Sequence, residues 1–278
     1  MGRHTDPRIY QIAALCGLMT YGIVWLGFGV TWERAAIVIS TCLATQYVCT
    51  RFWRLPRFDP RSALISGLSL SLLLRTGSPA LAILAASITV SSKFFIRIDD
   101  RHVFNPTNFG LVVMMLVSDH VWVSPGQWGN VAFIGFLLAC LGMVVVNRAA
   151  RSDVTYAFLA FYVAIVVGRA LWLGDPVAIA LHQLQSGGLV LFAFFMVSDP
   201  KTTPDSRAGR ITFALLVALG ATYVQFALYR PNGVLWSLVL CAIAVPFINR
   251  LLPGRRYEWM NPRAARAPID ASAAVIAT

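Results

Sequence analysis

The chain has 278 residues, of which 58% are hydrophobic and only 13% charged, with a formal net charge of +11. A soluble domain carries about 25% charged residues, so the composition excludes a soluble enzyme and leaves no room for a separate soluble domain beside the apolar runs. The basic excess does not indicate nucleic acid, because Arg and Lys fall almost wholly between the apolar runs, the pattern of loops on the positive side of a membrane. The five cysteines lie in apolar runs without a CxxC pair, and read as small buried hydrophobes rather than an iron–sulfur or zinc set.

Taken in order, apolar runs and breakers predict spans near residues 9–30, 33–50, 62–75, 79–97, 104–118, 129–147, 154–173, 177–198, 211–229 and 232–252. The first run is too long, and lacks the small-residue cleavage site, for a cleavable signal peptide. A full crossing needs roughly 20 apolar residues, so the runs 62–75 and 104–118 are short. The run 177–198 is interrupted by His182, Gln183, Gln185, Ser186, Gly187 and Gly188. With both termini on the cytoplasmic side, 19 basic residues fall inside and only Arg34, Arg75, Arg169 and Arg230 outside. Trp53, Trp122, Trp128, Trp172 and Tyr257 fall near the predicted interfaces and read as belt anchors.

The fold class predicted is an all-α polytopic membrane protein of about ten helices. It forms one transmembrane domain over residues 1–256, followed by a flexible cytoplasmic tail over 257–278. A faint duplication orders the spans. Ser66-Gly67-Leu68 matches Ser186-Gly187-Gly188, and the segment from Asn105 to Leu111 resembles that from Arg230 to Val234. Two units of five spans, about 9–118 and 129–252, must enter the membrane in opposite senses. Inverted repeats with interrupted helices place a site at their interface.

Three motifs could line such a site. Asn105-Pro106-Thr107-Asn108 opens a short apolar helix, with Asn105 as cap and Pro106 at the first helical position. Its free N–H groups suit a phosphate, a carboxylate or the carbonyl edge of a flavin or quinone, and plain capping serves an ordinary span equally well. Ser186-Gly187-Gly188 permits either close helix packing or an unwound backbone. Asp199-Pro200-Lys201-Thr202-Thr203-Pro204 ends the interrupted span as a turn, with Asp199 free to pair Lys201 or Arg207, to cap the next element or to meet a ligand. The twelve acidic residues all lie at span ends or in loops, which argues against an intramembrane carboxylate relay. His182 is the only imidazole well inside a span, so a haem held by two histidines of one chain is not expected. No Walker loop, dinucleotide fingerprint or Ser/His/Asp set is visible.

Three blocks resemble one known family. They are DPRSALISGLSLSLLL at 59–74, FNPTNFGLVVMMLV at 104–117, and HQLQSGGLVLFAFFMVSDPKTTPDSRAGR at 182–210 with Pro231-Asn232-Gly233-Val234 beyond it. In order and spacing they are similar to the NqrB and RnfD membrane subunits of the sodium-translocating NADH:quinone reductase and Rnf electron-transport complexes. The resemblance implies a ten-helix inverted repeat, flavins near the repeat interface, electron relay in a bacterial inner membrane, and partner redox subunits. It also implies Asn105, Thr107 and Asn108 as polar contacts to a ring, Ser186, Gly187 and Gly188 as close backbone, and Asp199, Thr202 and Thr203 as a cytoplasmic rim.

One departure stands out. Family members carry covalent FMN on a threonine of an S-G-A-T motif in the loop after the FNP helix, and here residues 118–130, SDHVWVSPGQWGN, contain no threonine. The Gly220-Ala221-Thr222 triplet sits mid-span. The chain is therefore similar to the short UnbU-type members, and a non-covalent flavin (riboflavin or FMN) or quinone is expected rather than covalent FMN. The rival expectation is a transporter or facilitator for a small solute that keeps the fold without redox activity.

Overall fold

The computed structural model describes residues 6–25, 27, 29–124 and 151–257. The predicted span 129–147, Trp128 and the tail beyond Tyr257 lie outside these described residues.

The first half holds α1 (Pro7–Val24), α2 (Trp32–Phe52), α3 (Pro60–Leu73), α4 (Pro79–Phe95) and α5 (Pro106–Val117). Four of the five begin alike: Asp6, Asp59, Ser78 or Asn105 caps, and proline follows at the first helical position. The cap oxygen accepts an orphan N–H, and proline loses nothing there because its missing donor had no partner. At 1.5 Å per residue, α3 and α5 are about 21 and 18 Å long, short of the about 30 Å hydrocarbon core. Each continues as a strand, β1 (Leu74–Thr76) and β4 (Val121–Val123), and the two strands pair antiparallel with Arg75 opposite Trp122. The predicted short runs are thus helix plus extended chain, whose backbone groups satisfy one another. Between α4 and α5 a small hairpin, β2 (Arg97–Ile98) and β3 (Arg101–His102), turns at Asp99 and Asp100, both at positive φ.

The second half holds α6 (Ser152–Leu173), α7 (Val177–Leu184), α8 (Gly187–Leu191) running into a π-helical turn (Phe192–Met196), α9 (Arg207–Phe226), α10 (Gly233–Ala242) and α11 (Val245–Leu251). The interruption predicted in 177–198 is real: α7 and the α8–π segment are bent by 53°, and α10 and α11 by 55°. By length and composition α2, α6 and α9 can each cross a membrane, and the count rises to five if each bent pair is one span. The π turn is closed by the Val197 N–H donating to Phe192 O at 2.9 Å, and the Ala193 carbonyl accepts the Thr155 hydroxyl of α6 at 2.9 Å.

Packing is parallel in the two halves. In the first, α2 packs on α3 and α4, and α4 on α5; in the second, α6 packs on α9, and α9 on α10. Small residues set the closest approaches. A Cβ on Gly110 of α5 would overlap Thr89 Oγ1 of α4 and lie 3.0 Å from its Cβ, and one on Gly233 of α10 would overlap the Ala221 carbonyl oxygen of α9. The halves join where α5 meets α10. Asn108 Nδ2 donates to Leu235 O at 3.1 Å and Asn232 Nδ2 reaches Met115 Sδ at 3.7 Å, so the two short helices run in opposite senses. The core on the π-turn side is Phe158, Phe192 and Phe213, each fully buried.

Candidate functional site

Two helix starts carry the same tripeptide, Asp6-Pro7-Arg8 and Asp59-Pro60-Arg61, and the structure sets them side by side. Each aspartate caps its own helix through the arginine N–H two residues on, at 3.0 and 3.1 Å. Each arginine also reaches across: Arg8 Nη1 to Asp59 Oδ2 and Arg61 Nη1 to Asp6 Oδ2, both at 2.7 Å. Burial opposes ionisation of Asp59, and the guanidinium groups of Arg61 and Arg8 overcome it, lowering its pKa to about 2. The network clamps α1 to α3 and points to a cavity that Arg8 helps to line.

A third Asp-Pro pair stands opposite. Asp199 accepts the Lys201 N–H at 3.0 Å, and the Asn105 Nδ2 donates to Asp199 Oδ2 at 3.3 Å. His102 Nε2 lies 3.7 Å from the same carboxylate. Burial works against the Asp199 charge, and His102 with the Lys201 amide outweighs it, so its pKa is lowered. Arg207 is not its partner, and α9 is capped instead by Ser206, whose Oγ accepts from Gly209 N at 3.0 Å.

The cavity between these elements has a volume of about 150 Å³. Its walls are Ser62, Ile65, Ser66 and Ser69 of α3, the first turn of α5 with Asn105, Pro106 and Thr107, Phe194, Phe195 and Met196 of the π turn, and the 198–201 turn. Ser62, Ser66 and Ser69 follow i, i+4, i+7 spacing, which places them on one face of α3. Ser66, Ser69 and Thr107 are buried and have no hydrogen-bond partner among the described residues. Buried hydroxyls are ordinarily bonded, so three of them on one small cavity are donors and acceptors held ready for a polar guest. Asn105 keeps one Nδ2 proton to spare after capping α5 and meeting Asp199.

Of the residues singled out from sequence, Asn105, Thr107 and Asp199 meet at this cavity. Asn108 does not line it; it is almost fully buried as a strut to Leu235. Thr203 is fully buried with its hydroxyl donating to Asp199 O, and Thr202 faces a neighbouring cleft. Ser186 and Gly188 line a different cavity, of about 270 Å³, with Gln183, Gln225 and Tyr162; Gly187 is buried beside it. Tyr162 donates to Gln225 Oε1 at 2.9 Å there. Met196 borders both cavities. Thr222 of the mid-span Gly-Ala-Thr is buried in α9, its hydroxyl donating to Ala218 O at 2.9 Å. Among the described residues no cluster of three metal-ligating side chains exists. Sequence reasoning missed the serine face of α3 and the paired Asp-Pro-Arg caps, and both carry a signal, in spacing and in repetition of a tripeptide.

Short helices that begin or break around a polar cavity, set among helices of membrane-crossing length and composition, define an α-helical membrane protein of the interrupted-helix kind. The model of the NQR2, RnfD, RnfE family matches residues 112–258, more than half of the sequence, and the chain belongs to that family. Relatives named as a subunit of the ion-translocating oxidoreductase complex include one from Alcanivorax borkumensis, 35% identical over 135 residues, 47% of this chain and 37% of the relative. Those of Colwellia psychrerythraea and Cellvibrio japonicus are 27% and 30% identical over 158 and 154 residues, 54% of this chain and 43% and 42% of theirs. Over the matched segments the chain spans less than half the length of these relatives.

Proposed function

We propose that the chain is an integral membrane electron-transfer protein of the NqrB/RnfD type. On this reading it holds a quinone or flavin non-covalently in the cavity between α3, α5 and the π turn, and works with partner redox subunits in ion-linked electron transport. The observation that carries it is the trio of unpartnered buried hydroxyls, Ser66, Ser69 and Thr107, facing Phe194 and Phe195 across one cavity. Apolar walls with a few placed polar groups are what orient a planar ring. At about 150 Å³ the cavity is smaller than the about 300–1,000 Å³ of drug-sized sites. A one-ring quinone head matches that size, and a three-ring isoalloxazine needs the Arg8 and Lys201 side chains at the rim to move aside. When bound, such a group supplies the electron-carrying chemistry. The protein's part is to hydrogen-bond the ring carbonyls through Ser66, Ser69, Thr107 and the spare Asn105 proton, and to keep water out with the two phenylalanines.

The architecture belongs to the same proposal: ten spans in two inverted units, about 9–118 and 129–252, in one domain over 1–256, with a cytoplasmic tail and both termini inside a bacterial inner membrane. The matched packing of α4 on α5 and α9 on α10, each with a glycine at the closest approach, supports it, as does the opposed run of α5 and α10.

The test is an absorption and fluorescence spectrum of protein purified in mild detergent, with organic extraction for quinone, repeated after denaturation and filtration. Stoichiometric flavin or quinone in the filtrate or extract supports the proposal, and absence of both refutes it. A second reading, passive conduction of a small solute, is favoured by the two cavities that share Met196 as a common wall. Solute uptake into proteoliposomes by cofactor-free protein would support that reading instead.

A further inference from the structure

A second cleft, of about 340 Å³, opens beside the cavity between the β2–β3 hairpin, the Lys201-Thr202 turn and α11. Four segments each bring one cation to it: Arg101 from β3, Lys201 from the turn, Arg250 from α11 and Arg256 from the chain that follows. Against these four stand Asp99 and Asp205, leaving a net charge of +2 with His102 neutral. Asp205 is already engaged by Arg101 at 2.8 Å, and Arg256 donates to the Asp99 backbone carbonyl at 2.7 Å, which fixes both arginines in the wall. Arg250 is exposed and has no hydrogen-bond or ion-pair partner among the described residues.

The surface beside this cleft is apolar. Ile243, Phe247 and Leu251 are 53%, 60% and 81% exposed, and the last two lie one turn apart on the helix whose final turn carries Arg250. The α10–α11 pair has the length and composition of a span, so this stripe is a lipid-facing surface ending at a cluster of cations.

We infer that the cleft is a headgroup site for an anionic phospholipid, with Arg250, Lys201 and Arg256 on the phosphate and the acyl chains along Ile243, Phe247 and Leu251. Charge alone would suit any phosphate; the apolar stripe running from the cleft selects one that carries acyl chains. Basic pockets of this kind between spans on the positive side of a membrane are suited to acidic headgroups. The inference does not depend on what the neighbouring cavity holds.

The experiment is a native mass spectrometry titration of the full chain in mild detergent, with phosphatidylglycerol and, separately, phosphatidylcholine. Phosphatidylglycerol should bind at least about tenfold more tightly. The variant Arg250→Gln/Arg256→Gln should weaken it about 30-fold, at about fivefold per cation near a lipid headgroup, while phosphatidylcholine is unaffected. Both positions are exposed, so the variant keeps its fold. Arg169→Gln, on a residue that stacks over Phe226 and pairs with Asp175, should leave binding unchanged. Equal binding of the two lipids, or a double variant that holds phosphatidylglycerol as the parent does, overturns the inference. Competition by inorganic phosphate at matched concentration overturns it too, by making the cleft a site for soluble anions.

Discussion

Replacing Gly110 by alanine tests the closest helix contact in the first half. The added Cβ would overlap Thr89 Oγ1 and lie 3.0 and 3.1 Å from Thr89 Cβ and Cα. Ordinary carbon contacts start near 3.4 Å, so the two carbon contacts alone are short by 0.3 to 0.4 Å. Thr89 is fully buried and its hydroxyl has no partner among the described residues. Rotating χ1 removes the oxygen clash but not the carbon one, and α5 must back away from α4. Overpacking of this kind costs about 1–3 kcal/mol, which at about 2–4 °C per kcal/mol lowers the melting temperature by about 4–8 °C. Thiol-reactive dye melting on detergent-purified protein reads this directly. Thr89→Ala should be nearly neutral alone, since it removes an unbonded hydroxyl, and should restore part of the loss in the double variant. Gly168→Ala is the control: nothing lies within 4 Å of its Cβ, and helix propensity should raise stability by up to about 1 kcal/mol. A Gly110→Ala protein that melts at or above the parent temperature, with the control behaving as expected, would show that α4 and α5 are not this close.

Other predictions rest on polar groups. Asn108→Leu should cost about 1–3 kcal/mol by stranding the Leu235 carbonyl, seen as a fall in melting temperature. Arg210→Gln leaves Asp153 without the guanidinium at 2.5 Å and should destabilise by about 3 kcal/mol, with partial recovery in Asp153→Asn/Arg210→Gln. The Asp59 pKa is depressed to about 2, so its contribution is complete above about pH 4 and is lost as pH falls towards 2. The melting temperature should therefore decline in that window, and Asp59→Asn should be less stable at neutral pH with a flatter acid decline. Asn105→Leu removes the α5 cap and a cavity wall together, and should lower the bound flavin or quinone per protein; unchanged stoichiometry would exclude Asn105 from the site.

What could be read ahead of the structure was local. The Asn105 cap and Pro106 start follow from two adjacent residues, and the break near Ser186 from polar and glycine residues inside an apolar run. The shortness of α3 was visible as an apolar run confined to residues 62–75, just after Arg61. The strands that complete α3 and α5 were not, because β1 needs β4, far along the chain, to pair with. The clamp of Arg8 on Asp59 needs α1 beside α3, a tertiary fact. Asn108, read as a ring contact, is claimed by α10 for the same reason. Ser186 and Gly188 were grouped with Asn105 by motif, yet the π turn places them on another cavity.

That π turn also makes the chain's spacing unusually unforgiving. A bond spanning five residues instead of four accommodates one more residue than a regular helix would. Deleting a single residue between Phe192 and Met196 would let the segment relax to an ordinary helix and swing everything after it by about 100°. Asp199 would leave Asn105 and His102, and the third Asp-Pro turn would face away from the other two. Length at this point is therefore as much a part of the architecture as side-chain identity, and an insertion or deletion there should be worse than almost any substitution.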